Sequence, residues 1–188
     1  KDRLALFKIK PFRYYVLSCT FAMFGNGLTY VAMTWLLVKS NHQVTAIAGL
    51  MACFWLPNIV LGPFAGVLVD KYSRKYLLLF CNSIRVFILL TFWLLFPDEP
   101  PAYAIYGLAF LTGTVLSLYI PAAMTLVREV VAKKDLLYAN ATVDMAYELG
   151  AVAGMGAAGL IMAATSVRTT FLINAICYVI AATSLLFV

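Results

Sequence analysis

The sequence predicts an all-α membrane protein that crosses the bilayer six times. Six apolar stretches are separated by short polar segments, and each is about 20 residues or longer, which is the length a helix needs to cross a bilayer. Charged side chains make up 12% of the 188 residues, whereas they make up about 25% of an ordinary soluble domain. Because the charges lie mainly between the apolar stretches, a soluble globular domain is excluded.

The six predicted spans follow one another with short breaks. A basic lead-in ending at Arg13 precedes the first span, and a polar turn over 39–43 precedes the second. The segment 97–101, which contains three prolines, ends the third span, and a polar segment over 128–135 follows the fourth. The predicted spans cover residues 14–38, 44–69, 76–96, 102–127, 136–164 and 169–188.

Lysine and arginine are distributed unevenly between the two ends of these spans. The N-terminus and the loops after spans two and four hold eleven of the fourteen basic residues. The opposite side holds Lys39 and Arg168, and Arg85 lies inside span three. Because positive charge concentrates in cytoplasmic loops, we expect both ends of the chain to lie in the cytoplasm. The net charge of +6 follows this topology and does not form a basic stripe for nucleic acid.

The loop between the second and third spans carries the most specific motif. Residues 62–75 have the sequence GPFAGVLVDKYSRK. This loop resembles the signature loop of the major facilitator superfamily of secondary transporters, whose pattern is G-x-L-x-D-[RK]-x-G-R-[RK]. Ser73 stands where the family usually has glycine. The residues that match the pattern are Gly66, Leu68, Asp70, Lys71, Arg74 and Lys75.

The resemblance implies a fold, a location and a partner. Transporters of this superfamily contain two six-helix bundles, each made of two inverted three-helix repeats. Residues 1–188 are then expected to be the N-terminal bundle of a longer protein, with the C-terminal bundle of the same protein as partner. The chain starts without methionine and ends within apolar sequence, which favours the same interpretation. The lipid bilayer around it is expected to be a bacterial inner membrane.

The resemblance also assigns roles in a cytoplasmic gate. Gly66 is expected to let another helix approach closely, and Asp70 to face the positive N-terminal end of a helix in the other bundle. Arg74, four residues later, is its expected charge partner, and Glu129 at the end of span four competes for that arginine. The alternative is that Lys71, Arg74 and Lys75 only set the topology.

Three charges lie inside apolar spans, where an ionisable side chain is costly and therefore suggests a function. Arg85 lies in span three, and Asp144 and Glu148 lie one turn apart in span five. Their depths overlap, so a pair between Arg85 and either carboxylate is plausible. One interpretation is proton coupling, in which movement of the arginine changes the protonation of a carboxylate. The other is a structural ion pair or a residue in a wet vestibule.

Polar and aromatic residues within the spans are candidates for a substrate cavity. Asn26 lies between two glycines in span one, where similar exporters often carry an acidic residue. The other candidates are Trp55, Tyr119 and Tyr147, although buried aromatic residues usually only pack. Gly150 and Gly154, four residues apart in span five, predict a close helix-packing face.

These features together predict a secondary active transporter, and the resemblance favours proton-coupled export of a small amphipathic drug or siderophore by alternating access. The alternative is a half-length membrane scaffold that does not transport. An enzyme is not supported, since no catalytic motif or metal-ligand spacing is present in the sequence, including at the four cysteines. The resemblance implies no cofactor beyond a proton gradient.

Overall fold

The computed structural model describes residues 6–39, 44–96 and 99–188. Within these ranges the chain forms six long helices, a short 3-10 turn over Lys133–Asp135, and no strand. All six helices are long and apolar enough to cross a membrane. The predicted turn at 40–43 and the first part of the breaker, 97–98, lie outside the described residues. The helices are α1 (Lys10–Lys39), α2 (Val44–Lys71), α3 (Arg74–Leu95), α4 (Ala102–Val130), α5 (Leu136–Ala164) and α6 (Val167–Leu185).

The six helices confirm the all-α membrane fold, and each boundary lies within four residues of the predicted span. Where a helix is longer than its predicted span, polar residues continue it beyond its apolar part. α1 starts at Lys10 and α4 extends through Glu129 to Val130. Long charged side chains can remain in water while their helix continues out of the membrane, so apolar content alone underestimates helix length.

The helix packing has the symmetry expected of two inverted three-helix repeats. α1 packs most extensively against α5 and then α6, whereas α4 packs most extensively against α2 and then α3. Exchanging α1 with α4, α2 with α5 and α3 with α6 therefore reproduces the same set of large contacts, and α3 packs directly against α6. As a result, α1 and α4 lie between α2 and α5 on one side and the α3–α6 pair on the other, apart from a small contact between α5 and α6.

Glycines lie at both of the most extensive helix contacts, α1 with α5 and α4 with α2, which the exchange of helices described above relates to each other. Gly27 of α1 lies against the backbone of α5, and Gly113 of α4 lies against the backbone of α2 at Phe54. From the other side, Gly154 of α5 lies against the backbone of Phe24, and a Cβ at Gly150 would be 2.7 Å from the carbonyl oxygen of Thr20. A side chain at any of these positions would push two helices apart.

The bundle has two ends that we name by the residues they carry. The base holds the start of α1, the α2–α3 loop, the end of α4 and the end of α6, whereas the top holds the opposite helix ends. At the base, Lys75 Nζ donates to the carbonyl oxygen of Leu186 at 3.2 Å. At the top, Arg168 donates to the carbonyl oxygen of Trp93 at 3.5 Å and stacks on its ring at 4.1 Å. Each helix of the α3–α6 pair thus begins with a cation that contacts the C-terminal carbonyls of the other helix, where a positive charge is favourable.

Candidate functional site

The signature loop at the base is a helix break with an ordinary backbone. α2 ends at Lys71, α3 begins at Arg74, and Ser73 between them has φ −61° and ψ 123°. These angles lie in the extended region, which every L-residue adopts readily. Serine in the place of the family's glycine therefore introduces no backbone strain.

Arg74 is shared between two carboxylates on two other helices, and it is closer to Glu129 on α4 than to Asp70 on α2. Its guanidinium lies 3.2 Å from Glu129 Oε1 at the end of α4 and 3.9 Å from Asp70 Oδ1 at the end of α2. The Asp70 side chain is 84% exposed, whereas that of Arg74 is 30% exposed. The arginine therefore ties the base of α3 mainly to α4, and it leaves the Asp70 carboxylate largely available to a further partner.

The sequence predicted that another helix packs closely against Gly66, but no helix of the described part of this chain does so. A Cβ built on Gly66 meets no atom within 4 Å, and the same is true of Gly62 one turn earlier. Any helix that packs closely on this stretch of α2 therefore has to come from elsewhere. Lys75, the last residue of the predicted gate motif, instead contacts the end of α6.

Arg85 does not pair with Asp144 or Glu148. It lies at the middle of α3, is fully buried, and has the rings of Tyr119 at 4.6 Å and Tyr178 at 5.2 Å from its Cζ atom. The predicted ion pair fails because α3 and α5 do not pack extensively against each other, since α1, α4 and α6 lie between them. Sequence position predicts the depth of a residue in the membrane but not the side of the helix bundle on which it lies.

Asp144 and Glu148 are both exposed on the outer face of α5. Within the described part of the chain, neither carboxylate takes part in a hydrogen bond or an ion pair. Tyr147 between them is turned towards the bundle, and its ring centroid lies 6.4 Å from that of Tyr119. Two carboxylates inside an apolar span, facing away from their own bundle, need an aqueous space or a protein partner there, because an ionised carboxylate is not stable in hydrocarbon.

The four candidate cavity residues lie in different environments. Trp55 is 52% exposed on α2 and makes an edge contact with Phe54, whereas Tyr119 is fully buried beside Arg85. Asn26 is half-buried and accepts a hydrogen bond of 2.7 Å from the hydroxyl of Tyr178. The structure therefore brings Tyr119 and Tyr147 together but places Trp55 on the surface.

A buried polar layer between α1, α3, α4 and α6 was not predicted as a unit. Asn174 of α6 donates to the hydroxyl of Thr29 on α1, and Asn82 of α3 is fully buried. Both asparagines lie in the middle of apolar helices, and this is the signal that could have identified them. Together with Arg85, they make the interior of the bundle polar at mid-depth.

Comparison with known proteins gives a family match and several relatives. A family model described as Major Facilitator Superfamily matches residues 15–188. The chain is 26% identical over 170 residues to the staphyloferrin A transporter of Staphylococcus aureus, and the aligned region covers 89% of this chain and 43% of the relative. It is 22% identical over 180 residues to an uncharacterized MFS-type transporter, YvqJ, of Bacillus subtilis, covering 95% and 43% of the two chains. A second uncharacterized MFS-type transporter of that organism, YfiS, is 26% identical over 171 residues, covering 90% and 40%. The chain thus spans about two-fifths of the length of these relatives.

Proposed function

Because this chain belongs to the major facilitator superfamily, whose members are membrane transporters rather than enzymes, we propose that it is the N-terminal half of a proton-coupled exporter. The cargo is a small amphipathic molecule such as a drug or a siderophore, and it moves outward by alternating access. The printed name of one relative, the staphyloferrin A transporter, supports a siderophore as one cargo class. The base of the bundle, where the basic loops lie, faces the cytoplasm of a bacterium.

The observation that carries the proposal is the exposure of Asp144 and Glu148 on α5. α5 and α2 are the two least buried of the described helices, so a second bundle placed against them completes the structure. The carboxylates then face a space between the two halves. A carboxylate in such a site binds a proton when water is excluded and releases it when the site opens to water, because desolvation disfavours its charged form. Glu148 lies deeper from the base than Asp144 and is the proposed coupling residue.

The α2–α3 loop provides the proposed gate. Asp70 is largely exposed at the base, so its charge is available to the positive N-terminal end of a helix in the second bundle. Arg74, held by Glu129, keeps the loop attached to its own bundle. Opening towards the cytoplasm then requires the Asp70 contact to break while the Arg74 contact persists.

A transport assay in vesicles tests the proposal. We expect full-length protein to move at least one cargo from a panel of amphipathic drugs and siderophores when a proton gradient is imposed. Glu148→Gln keeps the size and polarity of the side chain but cannot exchange a proton, so it should reduce gradient-driven transport to the level seen without a gradient. Glu99→Gln is the matched control, since Glu99 lies at the top and pairs with Lys39 at 3.2 Å. Full gradient-driven transport by Glu148→Gln would remove this residue from the coupling mechanism.

A further inference from the structure

The interior of the bundle contains a positive charge that forms no ion pair with a carboxylate of the described residues. Arg85 is fully buried, and none of its three side-chain nitrogens has a hydrogen-bond partner among the described residues. The guanidinium carries a positive charge and five N–H donors. A buried charge in this condition is strongly unfavourable unless another group compensates it.

The two tyrosine rings beside Arg85 compensate only part of this cost. Tyr119 and Tyr178 stabilise the positive charge through their ring electrons, at 4.6 and 5.2 Å from Cζ. These ring contacts provide no oxygen or halide atom that could accept a hydrogen bond from the N–H groups of Arg85. The hydroxyl of Tyr178 is already committed to Asn26, which accepts its hydrogen bond at 2.7 Å. The donors of Arg85 therefore still lack acceptors.

Other polar groups in the same layer also have atoms without a partner, among them the side-chain oxygen of Asn174. Asn82 lies three residues before Arg85, on the same face of α3, and is fully buried with neither amide atom bonded to a described residue. The hydroxyl of Tyr119 is also buried; it lies beside Cys19 and Tyr147 but makes no hydrogen bond of ordinary length to a described residue. Asp144 and Glu148 are the carboxylates whose predicted depth in the membrane is nearest to that of Arg85. Both are exposed on α5, which does not pack extensively against α3. The layer thus has a net positive charge and more donors than acceptors.

We propose that Arg85, Asn82 and Tyr119 form an internal binding site for a compact monovalent anion. An anion supplies the missing negative charge and accepts hydrogen bonds from several donors at once. A water molecule also accepts hydrogen bonds, but it brings no charge. The anion has two possible sources: chloride from the solution, or the carboxylate of an acidic cargo. The second source depends on the proposed transport function, whereas the first does not.

Thermal unfolding of the full-length protein in detergent tests the site without requiring transport. The protein is prepared with gluconate, which is too bulky for a site between packed helices, as the only anion. Chloride or acetate then replaces gluconate at constant ionic strength. We expect a saturable rise in Tm with either small anion, and no rise in Arg85→Gln. Arg168→Gln is the matched control, because Arg168 also stacks on an aromatic ring but lies exposed at the top; it should keep the full rise.

Two variants that retain the charge decide the result if Arg85→Gln fails to fold. Asn82→Leu and Tyr119→Phe each remove one unpartnered group, and each should raise the half-saturating anion concentration several-fold. Saturation by chloride with no effect of acetate assigns the site to an inorganic ion, and saturation by acetate that chloride competes for assigns it to carboxylates. Equal Tm values in gluconate, chloride and acetate, or an unchanged anion response in both charge-retaining variants, would overturn the proposal.

Discussion

The two carboxylates around Arg74 have different roles, and the distances separate them. Glu129 lies 3.2 Å from the guanidinium and joins the end of α4 to the start of α3, which are distant in the sequence, whereas Asp70 lies 3.9 Å away on the preceding helix and is largely exposed. An exposed ion pair contributes little to stability because water screens it, while a partly buried arginine that loses its closer partner loses more. Stability should therefore depend on Glu129, and gating on Asp70.

Replacing each carboxylate by its amide distinguishes these roles. We expect Glu129→Gln to lower the free energy of unfolding by about 0.5–1 kcal/mol, the upper part of the range for exposed pairs, because Arg74 is only 30% exposed. Asp70→Asn should leave Tm nearly unchanged but impair transport, because the amide has no charge for the opposite bundle. Thermal unfolding and vesicle transport of the full-length variants provide the two measurements. The reverse result, a lower Tm only in Asp70→Asn, would contradict this division.

Residue-level predictions from sequence fix the position along a helix but not the direction in which a side chain faces. Arg85, Asp144 and Glu148 were predicted within apolar spans, and all three lie within helices long and apolar enough to cross a membrane. The sequence could not show that Arg85 faces Tyr119 while Glu148 faces away from the bundle. Which side of a helix a residue occupies relative to its neighbours depends on tertiary contacts, and several helices here are apolar on all sides.

At the scale of helices, close packing depends on a few glycines rather than on glycine content. α5 contains four glycines, of which Gly150 and Gly154 lie against α1 while Gly156 and Gly159 meet no atom within 4 Å. The sequence predicted Gly150 and Gly154 as the packing face from their spacing of four residues. The matching contact of α4 with α2 at Gly113 was not predicted, because Gly113 has no second glycine one turn away.

Alanine substitutions distinguish the glycines that lie at helix contacts from those at open positions. Gly154→Ala and Gly113→Ala place a methyl group against the backbone of a neighbouring helix, and backbone cannot move aside as a flexible side chain can. We expect each to destabilise the protein by about 1–3 kcal/mol, the usual cost of overpacking. Gly156→Ala is the control and should be neutral or stabilising, since alanine favours helix and the site is open. Comparable Tm values for Gly154→Ala and Gly156→Ala in detergent would show that α1 and α5 are not held by this contact.

At the scale of the molecule, two sides of the bundle differ: one is joined by cation contacts at both ends, and the other exposes carboxylates among apolar side chains. The α3–α6 pair is clamped at the base by Lys75 and at the top by Arg168. α2 and α5 lie beyond α1 and α4 and expose large apolar side chains together with Asp144 and Glu148. Lipid accommodates the apolar side chains but not the carboxylates, so the α2 and α5 faces require a different neighbour from the rest of the surface.

Spin labels on the outer surface can identify that neighbour. Ile59 of α2 and Leu160 of α5 are 74% and 75% exposed within this chain, and Phe87 of α3 is 68% exposed. Each is replaced by cysteine in full-length protein whose other cysteines have been changed to alanine, and the label is measured in lipid bilayers. If the second half of the transporter covers α2 and α5, labels at Ile59 and Leu160 should be less mobile and less accessible to dissolved oxygen than a label at Phe87. In the isolated 188-residue chain the same two sites should either match Phe87 or become immobilised as copies associate. Equal oxygen accessibility at all three sites in the full-length protein would place lipid against α2 and α5, and would favour a bundle that functions without a second half.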